Sequence, residues 1–532
     1  MSILVGQISL SPDRPESEAL AIALRRLGLS EGQATAAVHK KSVDARRRGR
    51  VSLVYSVLVT VRGDETALLQ RVVDQKNIQL YKLQPSPALV LGPKRLAARP
   101  VVVGFGPAGM FAALQLAEQG LRPIVIERGA PIEQRCADVE RFWQTGELLP
   151  ESNVQFGEGG AGSFSDGKLT TRIGDPRCRM VLETFVRCGA PERILTDAKP
   201  HIGTDVLRGV VKNLRHEVER LGGQVRFHTR LERLVLKEGR LAGLVTSQGE
   251  LPCEAAVLAV GHSARDTAAT LLAQGIEMQK KPFSVGMRIE HPQTMVDAMF
   301  YGELAGHPAL PPAEYQLSHR VGERACYTFC MCPGGVVVPA ASEQGGVVTN
   351  GMSDSARAGK NANAAVVASV LPQDIEGGVA EAMEFQRRLE RAAFQAGGGA
   401  YRAPAQSAKS FLTGRPSWGA TKGTYARGLT LHALDSLLPS FTLPLLRDGL
   451  ARFDSRYPGF AGDAALLTGL ETRTSSPLRL LRGEDCVSLC AKGLYPAGEG
   501  AGYAGGIMSA AVDGLRVAQA ILSRYGALCE RL

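Results

Sequence analysis

Residues 104–109 read Gly-Phe-Gly-Pro-Ala-Gly and sit between the β-branched run Val101-Val102-Val103 and a helical stretch that ends at Gly120. Glycine-rich turns are common, but here a strand, the turn, a helix, a second strand and a terminal acid follow in that order. Gly104 permits a sharp exit from the strand, Gly106 lacks the Cβ that would hold a phosphate away from the backbone, and Gly109 lets the helix pack closely on the strand. Pro107 suits a helix start, where its missing N–H costs little, and Ala108 follows it. Met110, Leu114, Ala117 and Leu121 recur on one helix face, which can therefore cover a sheet. A second strand, residues 124–126, runs into Glu127 and Arg128, with the acid at the spacing expected of a ribose-hydroxyl partner. The unpaired N–H groups and partial positive charge of the helix start attract a pyrophosphate. The unit is expected to bind a dinucleotide; the alternative is a plain structural βαβ unit.

An acid at position 127 would repel a 2′-phosphate, which favours FAD or NAD over NADP. The distinction between those two comes from residues 493–521, a strand, a glycine-rich turn containing Glu499, and a helix from about Ile507. That order resembles the closing motif of the glutathione-reductase-like flavoproteins. The resemblance implies that Glu499 meets the flavin's ribityl chain, with Gly498, Gly500, Gly505 and Gly506 beside it. Flavin reduction adds negative charge at the N1/C2=O edge, and a helix N-terminus stabilises such charge. An ordinary loop before a surface helix is the alternative. No second GxGxxG with its own strand, helix and terminal acid occurs, so a dedicated NAD(P)H domain is not expected, and NADH or NADPH as electron donor would bind only transiently.

Between the two motifs, residues 154–172 carry five glycines from Gly157 to Gly167. Backbone so bare is expected to lie against something flat or charged. Gly162 and Ser163 are candidate cofactor contacts, Ser165 and Lys168 candidate donors, and Asp166 a candidate base or substrate-positioning group; a mobile surface loop is the alternative. Residues 204–221 have the 3.6-residue periodicity of a helix, with Val206, Val210, Leu214, Val218 and Leu221 on one side. Short strands follow at 225–228, 231–236, 241–246 and 255–260, a meander with a return strand. Val225 opens the first and is a candidate cofactor contact. Gly261, in the turn after the last, resembles the glycine of the flavoprotein "ATG" turn. His262 beside it is a candidate flavin neighbour or a satisfied turn histidine.

The 532 residues suffice for two to four domains. The net charge of +10 is uneven, because residues 1–99 hold 16 Lys and Arg against 8 Asp and Glu. That segment reads as strand 3–10, helix 16–27, a strand through Val43, strand 51–61, helix 65–73 and strand 78–83, a β-α-β-β-α-β order that makes a ferredoxin-like module. Its most basic stretch runs from Lys40 and Lys41 through Arg46, Arg47, Arg48 and Arg50. It is either an RNA-binding face or a hairpin edge kept from aberrant pairing by its charges. No apolar run reaches the ~18 residues of a membrane span, and the N-terminus lacks a signal-peptide pattern, so a cytoplasmic location is expected. Ten cysteines in so long a chain read as free thiols.

The fold expected is α/β: a doubly wound, Rossmann-type FAD-binding domain with an inserted α+β substrate domain and a small N-terminal module. The boundaries are 1–84 for the module, 85–99 for a proline-rich linker, 100–275 and 467–532 for the FAD-binding domain, and 276–466 for the substrate domain. GFGPAG with Glu127, GEGGAGSFSDGKL (157–169), YTFCMCPGG (327–335), VTNGMS (348–353), GLETRTSSP (469–477) and GLYPAGEGAGYAGG (493–506) together resemble a family of bacterial FAD-dependent dehydrogenases with an extra N-terminal module. The resemblance spans the chain and implies FAD and oxidoreductase chemistry, without a substrate.

Cys326, Cys330 and Cys332 share parity, so on one regular strand all three would point to one face. They are small buried residues, a thiol pair exchanging electrons with a flavin, or part of a metal site one ligand short. Arg473 is a candidate clamp for a carboxylate, with an internal Glu471–Arg473 pair as the alternative. The leading functional expectation is hydride transfer through flavin N5 to or from a small molecule. The alternatives are a flavoprotein acting on RNA through the basic module and a flavin-binding protein without turnover.

Overall fold

A computed structural model describes residues 2–47, 50–72, 76–82 and 84–529. Arg48 of the basic stretch, Val73 at the end of the expected helix and Leu83 at the end of the expected strand lie outside the described residues.

Five parallel strands form the sheet of the nucleotide domain, in the order Leu494–Pro496, Ala256–Leu258, Val101–Val103, Ile124–Ile126 and Gln224–Arg226. Numbered along the chain, that is 5-4-1-2-3, the doubly wound order whose direction reverses between Val101–Val103 and Ala256–Leu258. The carboxyl ends of those two strands define the crevice where this architecture binds ligands. An antiparallel meander of Leu231–Lys237, Arg240–Thr246 and Gly249–Pro252 follows the Gln224–Arg226 strand.

The substrate domain is built on one seven-stranded sheet. Its central strand, Phe283–Pro292, pairs with Asn361–Val370 on one side and Leu466–Glu471 on the other. The expectation that residues 276–466 close this domain is therefore corrected: Leu466–Glu471 is an inner strand of its sheet, and the chain returns to the nucleotide domain only afterwards. A long helix, Val379–Ala396, packs on the domain's apolar core through Ala382, Phe385 and Leu389.

The N-terminal module has the expected ferredoxin-like topology: Ala34–Arg47, Arg50–Val61, Ser2–Leu10 and Ile78–Tyr81 lie side by side, all antiparallel. Its basic hairpin is docked. The Lys41 N–H donates to the Thr196 carbonyl at 2.9 Å, the Ala198 N–H donates to the Lys41 carbonyl at 2.8 Å, and Val51 joins the substrate-domain core. Lys41 also pairs with Glu16 and Arg46 with Asp44. A sheet edge covered in this way is protected from pairing elsewhere. The linker is corrected as well: Lys94–Leu96 is a strand that pairs in parallel with Tyr525–Leu528 near the chain's end. Among the described residues no helix is long and apolar enough to cross a membrane.

Candidate cofactor and substrate site

One cavity of about 1180 Å³ is lined both by Gly104, Gly106 and Glu127 and by Glu499 and Gly505–Ala510. Pockets for one small ligand span roughly 300–1000 Å³, so there is room for a dinucleotide and a substrate together.

Two helix starts open into it. Pro107–Glu118 begins at Gly106, and Ile507–Leu522 begins at Gly506, whose φ of 137° few residues but glycine adopt. The glycine-rich segment bridges them. A Cβ on Gly160 would stand 3.2 Å from the Gly106 Cα, and one on Gly162 would stand 3.1 Å from Ile507 Cγ1. Gly109, Ser163 and Gly500 support the wall from behind: Gly109 packs on the Gly104 carbonyl, Ser163 is fully buried, and Gly500 packs on Gly261, which itself lines the cavity.

Glu127 is buried, and its carboxylate accepts three backbone hydrogen bonds, from Phe105 N at 2.8 Å, Gly129 N at 2.9 Å and Gly157 N at 3.0 Å. It ties the glycine turn to the glycine-rich segment and retains lone pairs for a ribose hydroxyl. Arg128 lies over the Phe156 ring at 4.1 Å and pairs with Glu151 and Asp266. Val225 does not line the cavity; Thr229, Arg230 and Leu231, just beyond its short strand, do so instead. The largest omission of the sequence reading is Arg135. Its fully buried guanidinium donates to the carbonyls of Asn153, Val154, Gly157, Glu158 and Gly160, and burial pushes its pKa down to about 10. An arginine inside an amphipathic helix carries no sequence signal for such a role.

The far wall comes from the seven-stranded sheet. Asp166 is fully buried and held by Ser353, by Arg357 and, at 3.8 Å, by the Lys168 ammonium. A carboxylate so held orients its neighbours at the cavity wall. Lys168 donates to the Met331 carbonyl. Arg473 lines the cavity, yet its guanidinium donates to Glu390 through Nε at 2.9 Å and Nη2 at 2.8 Å, and to Ser263 and Ser342 through Nη1. Its counter-charge is thus Glu390, and the expected pairing with Glu471 is corrected. Glu471 accepts from Thr349 at 3.1 Å and lies 3.7 Å from Arg288. Burial pushes its carboxyl up to about 7, against the lowering effect of Arg288, so it can exchange a proton near neutral pH.

The cysteines do not share a face. A bulge between Phe329 and Cys332 breaks the Arg324–Cys332 strand, with Cys330 at a φ of 46°. Cys326 is buried against Gly449, where burial pushes its thiol up to about 12. Cys330 lines the cavity, and Cys332 is buried beside it.

Two buried polar atoms of cavity-lining residues, His262 Nε2 and the Tyr315 hydroxyl, have no hydrogen-bond partner among the described residues. Together with the paired helix starts, these atoms fit a polar, phosphate-bearing ligand. A cavity at the strand-order reversal, lined by a glycine fingerprint and its acid, defines a dinucleotide-binding protein of the doubly wound class. Residues 99–137 match the model of an FAD binding domain, residues 282–474 that of an FAD-dependent protein C-terminal domain, and residues 2–60 a domain of unknown function. An uncharacterized protein of Clostridium beijerinckii is 46% identical over 531 residues, which cover 99% of each chain. The chain belongs to that protein's family, a family of FAD-dependent proteins.

Solved structures resemble it more distantly. A glycine oxidase from Bacillus cereus has 11% identity and a TM-score of 0.35 over 80% of this chain and 98% of its own. An L-proline dehydrogenase from P. horikoshii has 13% identity and a TM-score of 0.34 over 81% of this chain and 94% of its own. So distant a likeness assigns neither substrate nor reaction.

Proposed function

We propose that the protein is an FAD-dependent oxidoreductase that moves a hydride between flavin N5 and a small anionic molecule. The observation that carries this reading is the single cavity joining the dinucleotide cradle to a wall with a titratable acid, Glu471. Bound FAD supplies a two-electron acceptor or donor. Gly106–Ala108 and Gly160–Gly162 would hold its pyrophosphate, Glu127 its adenosine ribose and Glu499 its ribityl chain. The start of the Ile507–Leu522 helix would offer positive potential to the charge that flavin reduction adds. Glu471 holds or releases a proton at its carboxyl on the substrate side. The exposed part of the lining carries Arg172, Lys199 and Arg320, with Lys199 paired to Glu314, and Lys168 stands deeper beside Asp166. This balance favours an anion. NADH or NADPH would serve as a transient donor.

Anaerobic mixing of the purified yellow protein with NADH, NADPH and a panel of small organic acids tests the proposal. Bleaching of the flavin absorbance by one of them is the expected result. A flavin that none reduces would point to a binding protein without turnover.

A further inference from the structure

The bulge at Cys330 re-aims one side chain of a strand toward the cavity, a recurrent use of bulges beside functional sites. Cys330 therefore lines the cavity, while Cys332 packs directly behind it, its thiol 3.4 Å from the Cys330 carbonyl oxygen. Cations grip the bulge from two directions. Buried Arg288 donates through both terminal nitrogens to the Cys330 carbonyl, at 3.1 and 3.2 Å, and Lys168 donates to the Met331 carbonyl. A thiol at a cavity wall with two cations beside it and a second thiol within reach has the setting of a reactive cysteine pair.

We propose that Cys330 and Cys332 are a redox-active dithiol that exchanges two electrons with the cofactor, Cys330 presenting the sulfur at the cavity and Cys332 closing the disulfide behind it. The proposal rests on FAD filling the cavity as read above. In the oxidising direction the Cys330 thiolate and the Cys332 thiol form one S–S bond, releasing two electrons and the Cys332 proton. Oxidised FAD takes up two electrons and one proton on becoming its reduced anion, so the exchange balances with no further reactant. The charges facing Cys330 agree with its part. The hydrogen bond from Cys332, followed by Arg288 and Lys168, holds its thiol below the ordinary value against burial and Asp166, while Cys332 is held above its own.

The test starts from purified holoprotein whose flavin content is measured first; a colourless protein would count against the cofactor reading and not against the dithiol. Protein oxidised with diamide and freed of excess reagent is titrated anaerobically with dithionite. The wild type should consume one equivalent more per flavin than Cys330→Ser or Cys332→Ser. Peptide mass spectrometry should find a Cys330–Cys332 disulfide in the wild type before titration and none after. Cys253→Ser, at a buried thiol outside the cavity wall, should match the wild type. Cys330→Ala replaces either serine variant that fails to retain flavin. Independently of flavin, iodoacetamide should label Cys330 at a lower pH than an ordinary thiol requires. Equal dithionite consumption by all forms, or oxidation joining Cys330 to a different thiol, would overturn the proposal.

Discussion

Gly514, in the second turn of the Ile507–Leu522 helix, lies against the backbone of Ala108 so closely that a β-carbon there would overlap the Ala108 carbonyl oxygen. The contact fixes the distance between the two helix starts that open into the cavity. Gly514→Ala should therefore drive them apart, costing about 1–3 kcal/mol of stability as overpacking does and weakening flavin retention. Thermal unfolding and the flavin-to-protein absorbance ratio would check both effects, and an unchanged ratio would show that the spacing does not matter.

Glu127→Ala would leave the N–H groups of Phe105, Gly129 and Gly157 without their acceptor. Each orphaned donor costs about 1–3 kcal/mol where water cannot reach it. Loss of stability and of bound flavin should appear together, with Glu127→Gln intermediate because it keeps one acceptor oxygen. Equilibrium unfolding and flavin content on gel filtration measure the two.

Glu390 accepts from both Arg265 and Arg473 in a fully buried cluster. Burial alone would raise its carboxyl, but Arg473 and Arg265 outweigh burial and hold it below the ordinary carboxylate range. The stability it contributes is present above the ordinary value of about 4.5 and is lost as pH falls below it. Glu390→Gln should flatten the acid limb of a stability–pH curve, and Glu390→Ala, which strands two buried guanidinium groups, should cost about 3–5 kcal/mol at neutral pH. Urea unfolding between about pH 3 and 7 would show either outcome.

Glu471 has the opposite sign. Its folded carboxyl is pushed up to about 7 by burial, so the folded state holds a proton that the unfolded chain releases near 4.5. Stability should fall as pH rises from the lower value to the upper, by about 3 kcal/mol at 1.36 kcal/mol per pH unit, and level off above it. Glu471→Gln should abolish that slope and be the more stable protein at pH 8. In turnover it should also remove the pH limb near 7. A wild-type limb that survives in the variant would assign the titration to another group.

The glycine turn at 104, the acid at 127 and the closing turn at 499 were legible because each depends on residues close in sequence. A glycine's missing Cβ, a proline's fixed φ and an apolar face repeating every 3.6 residues act locally and leave local marks. The ferredoxin-like order of the N-terminal module was legible for the same reason. The strand Leu466–Glu471 was not, because an inner strand covered on both faces lacks the alternation that marks a half-buried one.

By itself the chain's order of residues determined a doubly wound nucleotide fold with an FAD-type cradle. Only the tertiary structure decided which charged side chains are free to act. Arg473 meets Glu390 across 83 positions and Asp166 meets Arg357 across 191, so both are spoken for. Glu471 and Cys330 line the cavity beside them. The difference is physical: backbone geometry is set by neighbours along the chain, whereas a buried charge takes whichever counter-charge the packed domains bring within about 4 Å.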